Sequence, residues 1–287
     1  MPQSQVLIRR FQQVDVFASS AYSGNPLAVV VDGEGLPDAA MQSFANWTNL
    51  SETTFLLPPK DPSADYRVRI FTASRELPFA GHPTLGSCHA WLATGGKPKR
   101  TDQVVQECGV GLVTVRLDGS RLAFAAPPVI RSGKVDEATA AEVVDQLRVD
   151  PASIQGMQWA DNGPGWIAVL LDGAEAVLAV RPRPTGQLKV GLVGFYPPGS
   201  PFAYEVRALY PENDTVFEDP VTGSLNASLA QWLIGEDRIR APYVASQGTV
   251  IGRAGRIFVD QTPADGLIWI GGDTVTCIDG TVSIADS

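Results

Sequence analysis

The sequence predicts a mixed α+β chain, rich in short strands and divided into two lobes of similar build. Three observations carry this. The 287 residues include 28 glycines and 22 prolines, above the ordinary ~7% and ~5%, so tight turns between short elements are frequent. Most segments between those turns alternate apolar and polar residues with the period of two that a half-buried strand requires. A six-residue pattern also recurs: His82-Pro83-Thr84-Leu85-Gly86-Ser87 matches Asp219-Pro220-Val221-Thr222-Gly223-Ser224 in Pro, Gly and Ser, 137 positions apart. Each copy opens an apolar helix with a Trp-Leu pair near its end, which reads as a duplication.

Taken in order, Phe11–Phe17 alternates and 26–31 is a branched apolar run, with Tyr22-Ser23-Gly24-Asn25 as turn chemistry between them. Met41, Phe44, Ala45 and Thr48 fall at i, i+3, i+4 and i+7 after the start signals Pro37 and Asp38, predicting a helix of about three turns. Strands follow at Thr53–Leu57, Tyr66–Phe71, Val104–Gln106, Leu112–Leu117 and Arg121–Phe124, interrupted by a helix from Pro83 to Leu92 that Gly95-Gly96 ends. Ala126-Pro127-Pro128-Val129 is the linker, because two prolines cannot continue a central strand. The first lobe is therefore 1–126, with the closing strands from about 270 to 287 able to return to it, and the second is 127–269. That second half is built in the same manner, with a helix over 136–147, strands at Trp166–Leu171, Val190–Phe195 and Tyr204–Tyr210, and a helix from Pro220 to Ile234 stopped by Gly235. Short strands at 257–261, 267–270, 274–278 and 281–284 close the chain.

Composition removes several classes. Lys and Arg number 22 against 31 Asp and Glu, a net charge of −9, which is unfavourable for tracking nucleic-acid phosphates or anionic lipid. The longest apolar run is six residues, Trp166–Leu171, far short of the ~20 needed to span a bilayer as a helix. The N-terminus lacks the apolar segment of a secretory signal, so the expectation is a cytoplasmic protein. Three cysteines, at 88, 108 and 277, have no CxxC spacing and read as reduced, buried thiols. With two histidines in the chain, no histidine-rich metal centre is expected, and no metal or cofactor is predicted. GxGxxG after a strand, GxxxxGK[ST], GxSxG and HExxH are all missing.

The chemistry gathers at a few positions. Proline at a first helical position would make His82 and Asp219 the N-caps of the two apolar helices. Asp suits that place and His does not, so His82 asks for another reason. If both helix starts face one cleft, their free N–H groups and positive dipole ends favour a small anion, and Gly81, Gly86 and Gly223 let backbone approach it. Glu52, in Asn49-Leu50-Ser51-Glu52-Thr53-Thr54-Phe55, lies beyond a helix C-terminus among apolar neighbours, where a carboxylate is suited to general acid/base work. Glu76 reads as a structural partner for Arg75 or a loop N–H, and His89 as packing or surface.

Four segments together resemble a known family: 23–30 (SGNPLAVV), 49–55 (NLSETTF), 76–86 (ELPFAGHPTLG) and 219–224 (DPVTGS) are similar to the phenazine biosynthesis isomerase, or PhzF-like, proteins. The resemblance implies a diaminopimelate epimerase-like fold: two strand-rich, barrel-like lobes, each wrapped around a central helix, with the site between them and a homodimer as the expected assembly. It implies Glu52 as the proton-transferring group, His82 and Asp219 as catalytic residues lining the substrate, and Ser51, Gly81, Gly223, Ser224 and Asn25 as substrate-binding. Epimerase relatives use two cysteines, and here 80–82 and 217–219 hold no thiol. The expected activity is thus a cofactor-independent isomerase that shifts a double bond in a small carboxylate. The competing readings are a two-base epimerase or racemase using Glu52 and Asp219, and a small-molecule-binding member without catalysis.

Overall fold

The computed structural model describes residues 6–285. The chain divides into two compact units, one formed by the segment up to Phe124 together with that from Gly271 onward, the other by Ala125–Ile270.

In the first unit, strand Val6–Val16 runs antiparallel to both Thr274–Ala285 and Asn25–Val30. Asn25–Val30 is parallel to Thr53–Leu57, which is antiparallel to Tyr66–Phe71. Tyr66–Phe71 takes the two-residue strand Glu76–Leu77 on one side and, in parallel, Gln103–Cys108; Gly111–Asp118 and Arg121–Ala125 then add antiparallel. A parallel join needs a crossover, and a helix supplies each: α1 (Asp38–Thr48) and α2 (Gly81–Ala93). α1 lays Ala40, Met41, Phe44 and Ala45 onto Phe55 and Phe71. α2 packs against strands Val6–Val16, Asn25–Val30, Thr53–Leu57 and Thr274–Ala285 and is buried through most of its length. Gly86 makes that approach possible, since a Cβ there would meet Leu27 Cδ2 at 2.6 Å and Val16 Cγ2 at 2.9 Å.

The second unit begins with strand Arg131–Lys134 and α3 (Glu137–Leu147), whose N-cap Asp136 accepts from Thr139 N at 2.9 Å. It then repeats the first unit's order of pairings. Ile154–Asp161 is antiparallel to Arg131–Lys134 and Ile167–Leu171, and Ile167–Leu171 is parallel to Val190–Phe195 across α4 (Ala174–Ala179). Tyr204–Glu212 follows antiparallel, carries Thr215–Asp219 antiparallel and Tyr243–Gln247 in parallel across α5 (Gly223–Gly235), and Gly255–Gln261 follows antiparallel. α5 is as enclosed as α2, with Leu225, Ala227, Leu229 and Leu233 fully buried.

The expectations for Thr53–Leu57, Tyr66–Phe71 and Val190–Phe195 match the structure residue for residue. The helix starts do not. α2 begins at Gly81 with Ala80 as N-cap, and α5 at Gly223 with Thr222 as N-cap, so neither His82 nor Asp219 is a cap. Pro83 sits at the third helical position, where its missing N–H is still harmless, and Pro220 lies in the turn before α5. The repeat accordingly runs at 142 residues, not 137. At that offset both helix starts and both helix ends coincide: Gly96 N donates to Trp91 O and Arg238 N to Leu233 O, each at 2.9 Å. Strands at 131–134, 154–161, 215–219 and 243–247, and the helix α4, have no counterpart among the elements the sequence predicts. The two closing strands expected at 274–278 and 281–284 are one, Thr274–Ala285. Glu76 pairs with Arg69, at 2.6 and 2.8 Å, and not with Arg75. Cys88 is a buried free thiol, whereas Cys108 and Cys277 are only partly covered.

Candidate active site

In the first unit, the GNP turn, the NLSETTF segment and the start of α2 converge. Asn49, in left-handed conformation, ends α1, and four residues after Thr48 the chain presents Glu52 just before strand Thr53–Leu57. The Glu52 side chain keeps 16% of its surface exposed, and its Oε2 lies 3.5 Å from His82 Nδ1. His82, the second residue of α2, is almost wholly enclosed. Burial pushes its pKa down to about 3, opposed by a hydrogen bond with the backbone of Pro26. The contact with Glu52 is therefore that of a neutral imidazole beside a carboxyl group and not an ion pair. Pro26 adjoins Asn25, which is fully buried, and the preceding Gly24 donates its N–H to the buried carboxylate of Asp15 at 2.8 Å. A Cβ on Gly24 would stand 2.2 Å from Val16 O, so the turn closes this tightly only with glycine there. Ser51 and Gly81 flank Glu52 and His82 in sequence, Ser51 partly exposed and Gly81 buried at the first position of α2. His89, deeper in α2, is half-buried and bonded to Thr276 Oγ1 at 2.9 Å, away from this corner in sequence and partner.

In the second unit, Asp219 ends strand Thr215–Asp219 and Gly223 and Ser224 open α5. Asp219 Oδ2 accepts from Thr222 Oγ1 at 2.5 Å. Trp166 Nε1 donates to Ser224 Oγ at 3.0 Å and Asn162 Nδ2 donates to Ser224 O at 3.0 Å. With its oxygen engaged as an acceptor, Ser224 retains its own O–H as a donor. The N-cap residues Ala80 and Thr222 make no side-chain cap hydrogen bond of their own.

The structure thus brings together Asn25, Ser51, Glu52, Gly81 and His82 in one unit and Asp219, Gly223 and Ser224 in the other. Trp166, Asn162, Thr222 and Gln247, all in contact with the second group, are residues that sequence reasoning missed. Only Thr222 stands inside a recognised motif. Among the described residues, no three His, Cys, Asp or Glu side chains group as metal ligands would, and no helix is long and apolar enough to cross a membrane.

Comparison with known proteins shows the family and the fold. A family model described as phenazine biosynthesis-like protein matches residues 14–280. The antisense-enhancing sequence 1 protein of Schizosaccharomyces pombe is 33% identical over 290 residues, covering 94% of this chain and 97% of its own. The trans-2,3-dihydro-3-hydroxyanthranilate isomerase of Pseudomonas fluorescens is 32% identical over 252 residues, covering 85% of this chain and 87% of its own. Among solved structures, a PhzF-family protein from Bacillus anthracis superposes with a TM-score of 0.81 at 18% identity, covering 96% of this chain and 99% of that one. The strand-rich α+β fold expected from the sequence is the fold of these proteins.

Proposed function

This chain belongs to the phenazine biosynthesis-like family, and from that premise we propose that it is an isomerase that moves a proton within a small carboxylate bearing an amino or hydroxyl group. The relatives that carry the name trans-2,3-dihydro-3-hydroxyanthranilate isomerase make a cyclic amino-hydroxy acid of that kind the first candidate substrate. The observation that carries the reading is the Glu52–His82 corner. An imidazole held neutral down to about pH 3 is too weak a base to take a substrate proton near neutrality, so there the carboxylate is the group that moves it. Glu52 removes a proton from an activated carbon, the electron pair left behind joins the shifting double bond, and the same carboxyl returns the proton at another carbon on the same face. His82, whose one N–H as a neutral imidazole goes to the backbone of Pro26, stands beside the carboxyl without adding a second titrating group.

In this reading, which the family likeness supports, Asp219 orients the substrate's amino or hydroxyl group and the N–H groups of Gly223 and Ser224 stabilise negative charge as it develops. Asn25, Ser51 and Gly81 complete the substrate's surroundings. A solution in D2O containing the protein and trans-2,3-dihydro-3-hydroxyanthranilate, followed by NMR, tests it. Loss of the starting vinyl signals with deuterium entering one ring carbon is the expected result. A compound recovered unchanged and unlabelled at high enzyme concentration rejects this substrate, and unchanged recovery across a panel of small amino and hydroxy acids rejects the isomerase reading.

A further inference from the structure

We propose that Gln247 is a positioning residue for Asp219, clamping the 219–222 turn against the start of α5; its functional consequence rests on the role given above to Asp219. Gln247 ends strand Tyr243–Gln247 and is fully buried. Its four side-chain hydrogen bonds all go to this one place. Oε1 accepts from Thr222 N at 3.0 Å and from Asn226 Nδ2 at 2.8 Å. Nε2 donates to the Asp219 carbonyl at 3.1 Å and to Thr222 Oγ1 at 3.0 Å. The last bond sets direction: because Thr222 Oγ1 accepts from Gln247, its own hydrogen is left for the Asp219 carboxylate at 2.5 Å. Gln247 therefore fixes both the backbone of Asp219 and the hydroxyl that holds its side chain.

The backbone around the clamp is built for closeness. Gly248 has φ +90 and a Cβ there would stand 2.6 Å from the Pro220 carbonyl; a Cβ on Gly255 would stand 2.4 Å from Val221 Cγ2. Two glycines thus admit the 219–222 turn to the strands that carry Gln247.

The first unit holds the same device without the reach to a carboxylate. Gln106, buried in the strand after α2, donates from Nε2 to Thr84 Oγ1 at 3.1 Å, and Thr84 Oγ1 donates to the N-cap carbonyl of Ala80 at 2.9 Å. Asn226 is the corresponding fourth residue of α5 and donates to the N-cap carbonyl of Thr222 at 2.9 Å. Gln106 Oε1, however, accepts from Tyr66 Oη at 2.8 Å, a packing contact. Pinning a central helix start is common to both units, and only the second extends the pin to Asp219. That difference separates a positioning role from a purely structural one.

Two variants test it. Gln247→Met keeps the volume and loses all four bonds, while Gln247→Glu keeps the acceptors and loses both N–H donors. In a crystal structure of either, the Asp219 carboxylate should leave Thr222 Oγ1 or split between rotamers while α5 stays in place; an Asp219–Thr222 bond unchanged in both overturns the proposal. In turnover of trans-2,3-dihydro-3-hydroxyanthranilate, Gln247→Met should lower kcat/KM about 10-fold in the parent but less than about 2-fold in the Asp219→Asn background, since coupled residues are not additive. Equal losses in both backgrounds also overturn it. If the parent protein does not turn over that compound, the substrate reading fails and the crystallographic arm still decides the clamp. Should neither Gln247 variant fold, Thr222→Val removes only the hydroxyl relay and must displace the Asp219 side chain in the same way.

Discussion

A glutamate that takes and returns a proton must touch substrate and yet keep water from competing, and Glu52, with 16% of its side chain exposed beside an enclosed imidazole, has that balance. Glu52→Gln preserves shape and hydrogen-bonding reach but cannot carry a proton, so turnover should fall by ~100 to 10,000-fold while ligand affinity changes little. Near-normal turnover would make Glu52 structural. His82 supplies a second test at this scale. Its folded pKa, about 3, lies below the ordinary 6.5, so the unfolded chain takes up the proton first. Stability should therefore fall as pH drops from 6.5 toward 3, by up to about 1.4 kcal/mol per unit from this residue. His89, also held down by burial, contributes in the same direction. Between pH 6.5 and 5, above the carboxylate range, His82→Asn should flatten the stability profile more than His89→Asn does; equal slopes for the parent and His82→Asn would show that His82 is not buried neutral. Glu52, His82 and Asp219 are legible in the sequence because each stands in a short contiguous motif. Gln247 and Trp166 are not, since their partners lie 21 to 28 and 58 residues away and no local spacing encodes a contact made only by folding.

At the scale of elements, the two central helices show how a correct motif yields a wrong register. Proline is favoured at a first helical position, and the sequence alone puts both Pro83 and Pro220 there. The chain uses them differently, one inside the first turn of α2 and one in the turn before α5, so aligning on proline shifts the repeat by five residues. The helices themselves are legible because each runs for 13 residues with recurring large apolar side chains, whereas α4, six residues long, and the two-residue strand Glu76–Leu77 are too short to establish a period. The enclosed α2 makes a further prediction. Gly→Ala inside a helix ordinarily stabilises by about 0.5 to 1 kcal/mol. At Gly86 the new Cβ would press on Leu27 and Val16, both fully buried. Gly86→Ala should therefore destabilise, by about 1 to 3 kcal/mol as overpacked cores do, read as a lower midpoint in denaturant unfolding. A higher midpoint would mean that the strands around α2 have room to give.

At the scale of the whole molecule, the duplication explains what the sequence could and could not reveal. Each unit runs through the same series of antiparallel and parallel pairings around one central helix, a repetition at 142 residues that the sequence shows only out of register, as three matching residues 137 apart and a Trp-Leu pair. Thr274–Ala285 closes the first unit by pairing with Val6–Val16; the sequence lets the closing strands return to this lobe, but no periodicity tells which strand they meet. Duplication also frames the chemistry. The two units carry different groups, Glu52 beside a neutral His82 in one and Asp219 held by Thr222 in the other. A group already accepting a hydrogen bond at 2.5 Å is suited to orienting substrate, and a carboxyl next to an uncharged partner is suited to moving a proton. The two halves should therefore fail differently. In D2O, Glu52→Gln should abolish both product formation and deuterium entry, whereas Asp219→Asn should weaken substrate binding, raising KM while the deuterium that does enter still appears at the same carbon and on the same face. If instead each variant keeps exchange with one stereoisomer of a small amino or hydroxy acid and loses it with the other, two bases act on opposite faces, and the epimerase reading replaces the single proton shuttle.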